Sequence, residues 1–320
     1  MTRIFLQHFF SNDKQAMRTM KRYIFIAALL LNPLLQREVH ADATLDALLQ
    51  PQCQTPKFEL KSEETSDGVR VRDGSFINCR GGIVQAYWLE PAQTSGKLPA
   101  ILYVHWFEPR STLSNRNEFL QEARTMAKMG VRSLLISTFW SIPGGHYNER
   151  HWEDDYNTTL HQGEDILLAA RVLQSLPGTD SSRMAYVGHD YGAAFGAMVA
   201  ATGTPFKTFV LMASCAKFPD WYLYGSADGV PEGAQLKPYK QQFDSINPQV
   251  TLGKSRAAIF LQFGEDDEFV SIAKADSLAA ALPEGGRHAM YSSDHSLDDE
   301  QARAERIDWL RNQLRLGAAK

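Results

Sequence analysis

Residues 183–201, RMAYVGHDYGAAFGAMVAA, combine an apolar run, a glycine-flanked turn and a stretch of small residues. The apolar run is typical of a buried strand, and the small residues let a helix pack closely against it. Asp190 occupies the centre of the turn between Gly188 and Gly192. This feature requires a sheet with an edge at which a sharp strand-to-helix turn presents one acidic side chain.

From residue 57 onward, apolar runs alternate with helical patterns. Asp73-Gly74 and Gly81-Gly82 are turn signals that separate the first two predicted strands. The eight predicted strands are 57–62, 82–91, 100–107, 131–139, 183–190, 208–213, 257–264 and 287–294. The predicted helices are 114–130, 164–178, 191–201, 271–282 and 297–317. The alternation predicts an α/β fold, with a mostly parallel eight-stranded sheet covered by helices on both faces.

Two long segments interrupt this pattern, at residues 140–159 and 214–255. Long loops in a compact domain are usually functional, and both of these follow predicted strands at the edge where α/β sheets bind ligands. We therefore expect a short lid insertion over a site in a single domain, residues 42–320.

The N-terminus predicts export. Lys21 and Arg22 precede the apolar run YIFIAALLLNPLL, and Val-His-Ala follows at residues 39–41. This is the pattern of a signal peptide cleaved after Ala41, and an uncleaved anchor is the alternative. Cleavage removes six Lys or Arg and two Asp or Glu residues, so the formal net charge changes from −4 to −8. An acidic chain without a basic run is not expected to bind nucleic acid, and the processed chain is expected to have no membrane span.

Three cysteines are present. In an oxidising compartment Cys53 and Cys79 are expected to pair, which leaves Cys215 as a buried thiol. The alternative is three unpaired cysteines.

The chain order of strand, turn with nucleophile, acid after a later strand and histidine after the last strand resembles the α/β-hydrolase superfamily. The resemblance covers nearly all of residues 57–317. It implies that Asp190 is the nucleophile and that His295, in YSSDHSLDD, is the catalytic histidine. The superfamily spacing Gly-x-x-Asp-x-x-Val selects Asp267 as the acid, and Asp266 is the competitor.

The resemblance also implies an oxyanion hole, a pair of backbone N–H groups that bind a developing negative charge. The two groups belong to the residue after the nucleophile, Tyr191, and to Trp106 in the loop after the third strand. The superfamily usually has a His-Gly pair there, whereas this chain has His105-Trp106.

An aspartate nucleophile changes the favoured substrate. A carboxylate is ionised at neutral pH and attacks without a base, and its attack on a saturated carbon gives a stable alkyl ester. Within the superfamily, aspartate here resembles epoxide hydrolases and haloalkane or haloacid dehalogenases. The expected function is therefore hydrolysis of an epoxide or alkyl halide through an ester on Asp190, with water activated by His295. His105, Trp221, Tyr222 and Tyr224 are predicted to line the pocket, and Tyr239 is a further candidate proton donor.

Two alternatives belong to other classes. In outline the chain also resembles dienelactone-hydrolase-like enzymes, which implies hydrolysis of a carboxylic ester or lactone. A catalytically silent relative that binds a ligand is the second alternative.

The expected partner is a small-molecule substrate, and no cofactor is expected. A metal site is conceivable from His146, His151, Asp154 and Asp155, but their spacing matches no strong ligand motif.

Overall fold

The computed structural model describes residues 43–108, 111–141, 150–224 and 229–317, which belong to one compact unit. The predicted signal peptide and its cleavage site lie outside these residues. Among the described residues, no helix is long and apolar enough to cross a membrane.

Nine strands form one sheet. They are β1 Glu59–Ser66, β2 Val69–Ile77, β3 Ile83–Pro91, β4 Leu98–Val104, β5 Arg132–Ile136, β6 Thr179–His189, β7 Thr208–Met212, β8 Ala258–Gly264 and β9 Arg287–Tyr291. Their order in the sheet is β1-β2-β3-β5-β4-β6-β7-β8-β9. The first three strands run antiparallel to their neighbours, and β5, β4, β6, β7, β8 and β9 run parallel to one another. This confirms the predicted α/β-hydrolase fold.

The predicted number of strands was one too few. Residues 69–77 form β2, although Asp73-Gly74 within them was predicted to be a turn. The actual turn is Asp67-Gly68, where both residues have positive φ (50° and 74°), as a tight β1–β2 hairpin requires. Gly74 instead allows a close approach, because a Cβ atom there would overlap the Glu59 carbonyl oxygen and the Phe58 ring.

Nine α-helices lie within the described residues. They are α1 Ala43–Leu49, α2 Leu120–Lys128, α3 Asp155–Ser175, α4 Tyr191–Ala200, α5 Phe218–Tyr222, α6 Leu236–Gln242, α7 Pro248–Thr251, α8 Ile272–Ala279 and α9 Glu300–Gln313. Short 3₁₀ helices occur at Phe139–Ser141, Trp152–Asp154, Gly233–Gln235 and Leu252–Lys254. Both predicted long loops therefore contain helical structure, and α3 begins nine residues earlier than the predicted 164.

The sheet separates two apolar layers. Along β4, Ala100, Leu102 and Val104 belong to the layer that includes α3 and α4. The alternate residues Ile101 and Tyr103 belong to the layer that includes α2 and α9. Successive side chains of a strand point to opposite faces, so the apolar run of β4 stabilises both layers.

The N-terminal segment is fastened to this core. Leu45 and Leu49 of α1 are buried, and Cys53 forms a disulfide with Cys79 at a Cα–Cα distance of 5.3 Å. The predicted pairing is confirmed, and Cys215 is a buried free thiol.

Candidate active site

Asp190 lies between the end of β6 and the start of α4. Its backbone has φ 53° and ψ −112°, a conformation that non-glycine residues rarely adopt. The turn is tight on both sides, because a Cβ atom on Gly192 would overlap the Val104 carbonyl and one on Gly188 would overlap the Gly192 carbonyl. The Asp190 N–H donates to the Met212 carbonyl at 2.9 Å. The predicted turn is therefore present, and its sequence is explained by close contact with β4 and β7.

The two carboxylate oxygens of Asp190 have different surroundings. Oδ2 accepts a hydrogen bond from the Phe107 N–H at 2.8 Å. Oδ1 lies 3.7 Å from His295 Nε2. One oxygen is thus fixed by a backbone donor, and the other faces an imidazole. The Asp190 side chain is only 4% exposed, so these neighbours dominate its environment.

The backbone donor differs from the predicted one. The Trp106 N–H donates to Glu118 Oε2 at 2.6 Å, and the next amide, that of Phe107, contacts Asp190. The structure thus has the Phe107 N–H, and not the predicted Trp106 N–H, beside Asp190. The other predicted donor, Tyr191, is the first residue of α4.

His295 follows β9 and contacts the predicted acid. Its Nδ1 donates to Asp267 Oδ2 at 2.8 Å. Asp267 Oδ1 accepts the N–H groups of Phe269 and Val270 at 2.8 and 2.9 Å, which fixes the carboxylate. Asp266 is exposed. Of the two candidate acids, the structure brings Asp267 to the histidine.

The pKa of His295 reflects a balance of opposing effects. Burial disfavours the charged imidazolium, but hydrogen bonding and charge attraction from Asp190 and Asp267 outweigh burial and raise the pKa of His295 to about 10. For Asp267, burial alone would raise the pKa, but the hydrogen bond from His295 and its charge lower it below the usual value. At neutral pH the resting site therefore holds an imidazolium between two carboxylates.

Aromatic rings surround His295. Their centroids lie 4.8 Å away for Phe269, 5.9 Å for Trp221 and 6.5 Å for Trp106. Trp221 also stacks on Tyr191 at 6.2 Å. Of the predicted pocket residues, Trp221 is therefore beside the reacting groups.

The predicted tyrosines have other contacts. Tyr222 is fully buried, with its hydroxyl 2.7 Å from Thr159 Oγ1, and the Tyr239 hydroxyl donates to Asp155 at 2.7 Å. Burial, followed by the Asp155 charge, raises the pKa of Tyr239. Tyr224 is half exposed and packs against Phe269. Within the described ranges, no residue forms a hydrogen bond with its hydroxyl.

His105 has a structural environment. Its Nδ1 donates to the Trp106 carbonyl at 2.7 Å, and Nε2 lies 2.7 Å from Ser141 Oγ and 3.0 Å from Thr138 Oγ1. Burial lowers the pKa of His105 to about 3, so the ring is neutral. Both nitrogens are thus occupied within the protein, and His105 supports the loop after β4.

The structure describes three of the four residues proposed for a metal site. His146 lies outside the described residues, and Asp155 pairs with Arg150 through two contacts of 2.6 Å. Within the described ranges, no group of three or more His, Cys, Asp or Glu side chains is placed to hold a metal ion.

Two further residues at the site, His189 and Glu118, were not predicted from the sequence. His189 precedes the predicted nucleophile, and its Nδ1 donates to Glu118 Oε1 at 2.6 Å. Its position inside the turn motif was the available signal. Glu118 lies before α2 in a polar stretch, and nothing in the local sequence distinguishes it.

The fold and the Asp190–His295–Asp267 arrangement define a hydrolase of the α/β-hydrolase kind. Residues 117–315 match the prolyl oligopeptidase family, and the chain belongs to that family. No match is found among curated protein sequences.

Solved structures share the fold. Acetyl xylan esterase from Paenibacillus sp. R4 is 15% identical, with a TM-score of 0.67, over 84% of this chain and 92% of that chain. Acetyl xylan esterase 1 from Thermoanaerobacterium sp. JW/SL YS485 is 15% identical, with a TM-score of 0.64, over 84% of this chain and 91% of that chain. A Klebsiella pneumoniae subsp. pneumoniae protein described as a dienelactone hydrolase is 15% identical, with a TM-score of 0.56, over 78% and 99%.

Proposed function

We propose that the chain hydrolyses an epoxide or alkyl halide through a covalent ester on Asp190. The proposal rests on the different contacts of the two Asp190 carboxylate oxygens. Oδ2 accepts the Phe107 N–H, whereas Oδ1 lies 3.7 Å from His295. Oδ1 is therefore the oxygen available to attack, and Oδ2 already occupies the position in which an oxyanion is stabilised.

The first step needs no base. Asp190 Oδ1 forms a bond to a saturated carbon, and the carbon–oxygen bond of the epoxide or the carbon–halogen bond breaks. A halide departs with the bonding electrons, whereas the epoxide oxygen takes up a proton. His295 is protonated at neutral pH and lies beside Oδ1, so it is the proposed proton source.

The second step uses the loss of charge on Asp190. Esterification removes one of the two carboxylates that raise the pKa of His295, so the imidazole becomes neutral more readily. Neutral His295 takes a proton from water, and the water oxygen attacks the carbonyl carbon of the ester. The Phe107 N–H stabilises the charge on the former Oδ2. The alcohol then leaves, and the Asp190 carboxylate is restored.

Ester or lactone hydrolysis is the second candidate. The comparisons taken alone favour it, because the similar solved structures include two acetyl xylan esterases and a protein described as a dienelactone hydrolase. In this reaction Asp190 would attack an acyl carbon, the acyl–oxygen bond of the ester or lactone would break, and the released alkoxide would take up a proton. Water would then hydrolyse the anhydride formed on Asp190. The resting site is less suited to this, because an anhydride is reactive and His295 is protonated rather than poised as a base.

The His295→Gln variant separates the two candidates. It keeps a polar side chain but removes the base, so hydrolysis should stop. Alkylation by a halide, which needs no proton, should proceed, and alkylation by an epoxide should be slower because His295 no longer supplies a proton. Intact-protein mass spectrometry after exposure to epoxides, alkyl halides and esters measures the product. An epoxide adds its whole mass, a halide adds its mass less hydrogen halide, and peptide mapping should place either adduct on Asp190.

Asp190→Asn is the matched control and should give no prompt adduct. An active Asp190→Ala enzyme, or labelling of another residue, would refute the assignment. Turnover of esters alone, without an alkyl adduct, would support the second candidate. A protein inert to the whole panel would support a silent relative.

We also propose that the chain is exported and processed after Ala41. The charged and apolar pattern of the N-terminus supports the proposal, as does the Cys53–Cys79 disulfide, since such bonds persist in oxidising compartments. N-terminal sequencing of the mature protein tests it, and a cytoplasmic protein that retains residues 1–41 would contradict it.

A further inference from the structure

Glu118 joins the loop after β4 to the nucleophile turn. Its Oε2 accepts the Trp106 N–H at 2.6 Å, and its Oε1 accepts Nδ1–H of His189 at 2.6 Å. The carboxylate therefore contacts one residue next to the oxyanion donor and one residue next to Asp190. His189 is 1% exposed, so the contact is shielded from water.

His189 extends the connection to the third catalytic segment. Its Nε2 lies 2.8 Å from the backbone carbonyl of His295. Each ring nitrogen of His189 therefore lies within hydrogen-bond distance of an oxygen acceptor. The same side chain thereby connects the Asp190 turn, Glu118 and the loop that carries His295.

The orientation of the Phe107 N–H follows from these contacts. The Trp106 carbonyl belongs to the same peptide unit and accepts from His105 Nδ1, Trp140 Nε1 and Ser114 Oγ at 2.7, 3.1 and 3.2 Å. In a planar trans peptide the N–H points opposite to the carbonyl, so the amide is directed at Asp190. Glu118 accepts a hydrogen bond from the preceding amide, that of Trp106. This contact opposes rotation of the Trp106–Phe107 peptide.

The Trp106 side chain packs against His189, the residue that contacts Glu118. Its indole stacks on His189 with a centroid distance of 5.0 Å and an interplanar angle of 17°. A stacked contact of this kind restricts the orientation of the His189 ring. The backbone of Trp106 has no positive φ, and its side chain packs on the residue before the nucleophile.

We infer that Glu118 and His189 form a positioning pair that holds the Phe107 N–H and His295 in the geometry needed to hydrolyse the covalent ester. Neither residue is proposed to contact substrate. The inference rests on the proposed function. In the alkylation step the Phe107 N–H contacts a carboxylate that is already charged, whereas in hydrolysis the charge on that oxygen is newly formed. The pair should therefore affect hydrolysis more than alkylation.

The test compares Glu118→Ala with Glu118→Gln. Alanine removes the acceptor for the Trp106 N–H, whereas glutamine retains an amide oxygen that can accept it. We expect Glu118→Ala to lower kcat roughly 10- to 100-fold, less than the loss of about 10²- to 10³-fold when an oxyanion donor is removed, because the Phe107 N–H is displaced and not deleted. KM should fall together with kcat, since the alkylation step that sets kcat/KM is not slowed. Alkyl-enzyme should accumulate during turnover and be visible by intact mass. Glu118→Gln should recover most of kcat.

Gln121→Ala is the matched control, because Gln121 is exposed and lies three residues along the chain from Glu118. Its kcat and adduct level should equal those of the wild type. Amide hydrogen exchange followed by NMR provides a readout that does not need turnover. Exchange at the Phe107 N–H should be faster in Glu118→Ala than in the wild type or Gln121→Ala.

The outcomes separate the two proposals. Wild-type kcat and wild-type Phe107 exchange in Glu118→Ala would overturn the positioning pair and leave the proposed function intact. If His295→Gln forms no adduct while the wild type hydrolyses esters, the proposed function fails, and a lowered kcat for Glu118→Ala on those esters would still support the pair. Should no substrate be found, faster Phe107 exchange supports the pair and unchanged exchange refutes it.

Discussion

Asp190 and His295 carry opposite charges in the resting site, and this pairing should make stability depend on pH. The folded protein raises the pKa of His295 from 6.5 to about 10. It therefore keeps a proton that the unfolded chain releases. The stabilisation is fully present below pH 6.5 and is lost as the pH rises to about 10.

The Asp190→Asn variant tests this origin. Asparagine removes one of the charges that hold the His295 proton, so Tm should fall less between pH 6.5 and 10 than in the wild type. Differential scanning calorimetry over that range measures the difference. Asp266→Asn is the control, because it removes the same charge from an exposed neighbouring position. Parallel Tm curves for the wild type and Asp190→Asn would contradict the prediction.

At the residue scale, Asp190, Asp267 and His295 could be predicted as neighbours because each lies at or shortly after the end of a recognisable strand, and the structure brings them together. The N–H group beside Asp190 was predicted to be that of Trp106, whereas in the structure it is that of Phe107. Which of two adjacent amides faces the carboxylate depends on Glu118, twelve residues from Trp106, and local sequence does not encode that contact. His105 and Glu118 also contact residues that are distant in the sequence, so their roles could not be predicted from local patterns.

At the scale of elements, the turn between β6 and α4 requires glycine because its backbone lies close to the backbone at the end of β4. Gly192 sits where α4 crosses the end of β4, and a methyl group there would overlap the Val104 and His105 carbonyl oxygens. These are backbone atoms of a buried strand end, so they cannot move aside as a flexible side chain can. The glycines of the turn are therefore structural requirements as well as parts of a motif.

We expect Gly192→Ala to destabilise the protein by about 3 kcal/mol or more, as severe overpacking does. Urea unfolding followed by circular dichroism measures the change in free energy. Gly203→Ala is the comparison, because the atoms nearest to a Cβ there belong to the Asp46 side chain, which can rotate. Equal losses for the two variants would argue against a backbone clash at Gly192.

Sequence patterns predicted most elements but not all of their limits. The apolar runs of β4 to β8 are unambiguous because both faces of these strands are buried. β2 alternates buried and half-buried residues and contains Asp73-Gly74, so it was mistaken for a turn. The start of α3 at Asp155 was missed because that turn is polar, and its stability depends on the buried Arg150–Asp155 pair.

At the scale of the whole molecule, the disulfide fastens the N-terminal segment to the sheet. It closes a loop with a sequence separation of 26 and follows α1, whose Leu45 and Leu49 are buried in the core. Loop closure of this length is worth roughly 3 kcal/mol of stability in the chain-entropy model. Cys215 is a free thiol, so it does not contribute to this effect.

Reduction should therefore lower the free energy of unfolding by about 3 kcal/mol. Urea unfolding with and without dithiothreitol measures this difference. The double variant Cys53→Ser/Cys79→Ser should resemble the reduced wild type and should not respond further to dithiothreitol. A reductant effect of equal size in the double variant would show that the loss has another cause.

The rings around His295 also give the site an optical signal. An imidazolium accepts an electron from an excited indole and quenches its emission, whereas neutral imidazole quenches weakly. Trp106 and Trp221 both lie beside His295, so alkylation of Asp190 and release of the His295 proton should brighten tryptophan fluorescence. Stopped-flow fluorimetry would show a rise as the ester forms and a fall as it is hydrolysed. Trp221→Phe should diminish the signal. Trp309→Phe is the control and should leave the signal unchanged, because that indole donates a hydrogen bond to Thr208 and is not among the rings around His295. The same rings that enclose the catalytic histidine would then let each half of the reaction be timed without a labelled substrate.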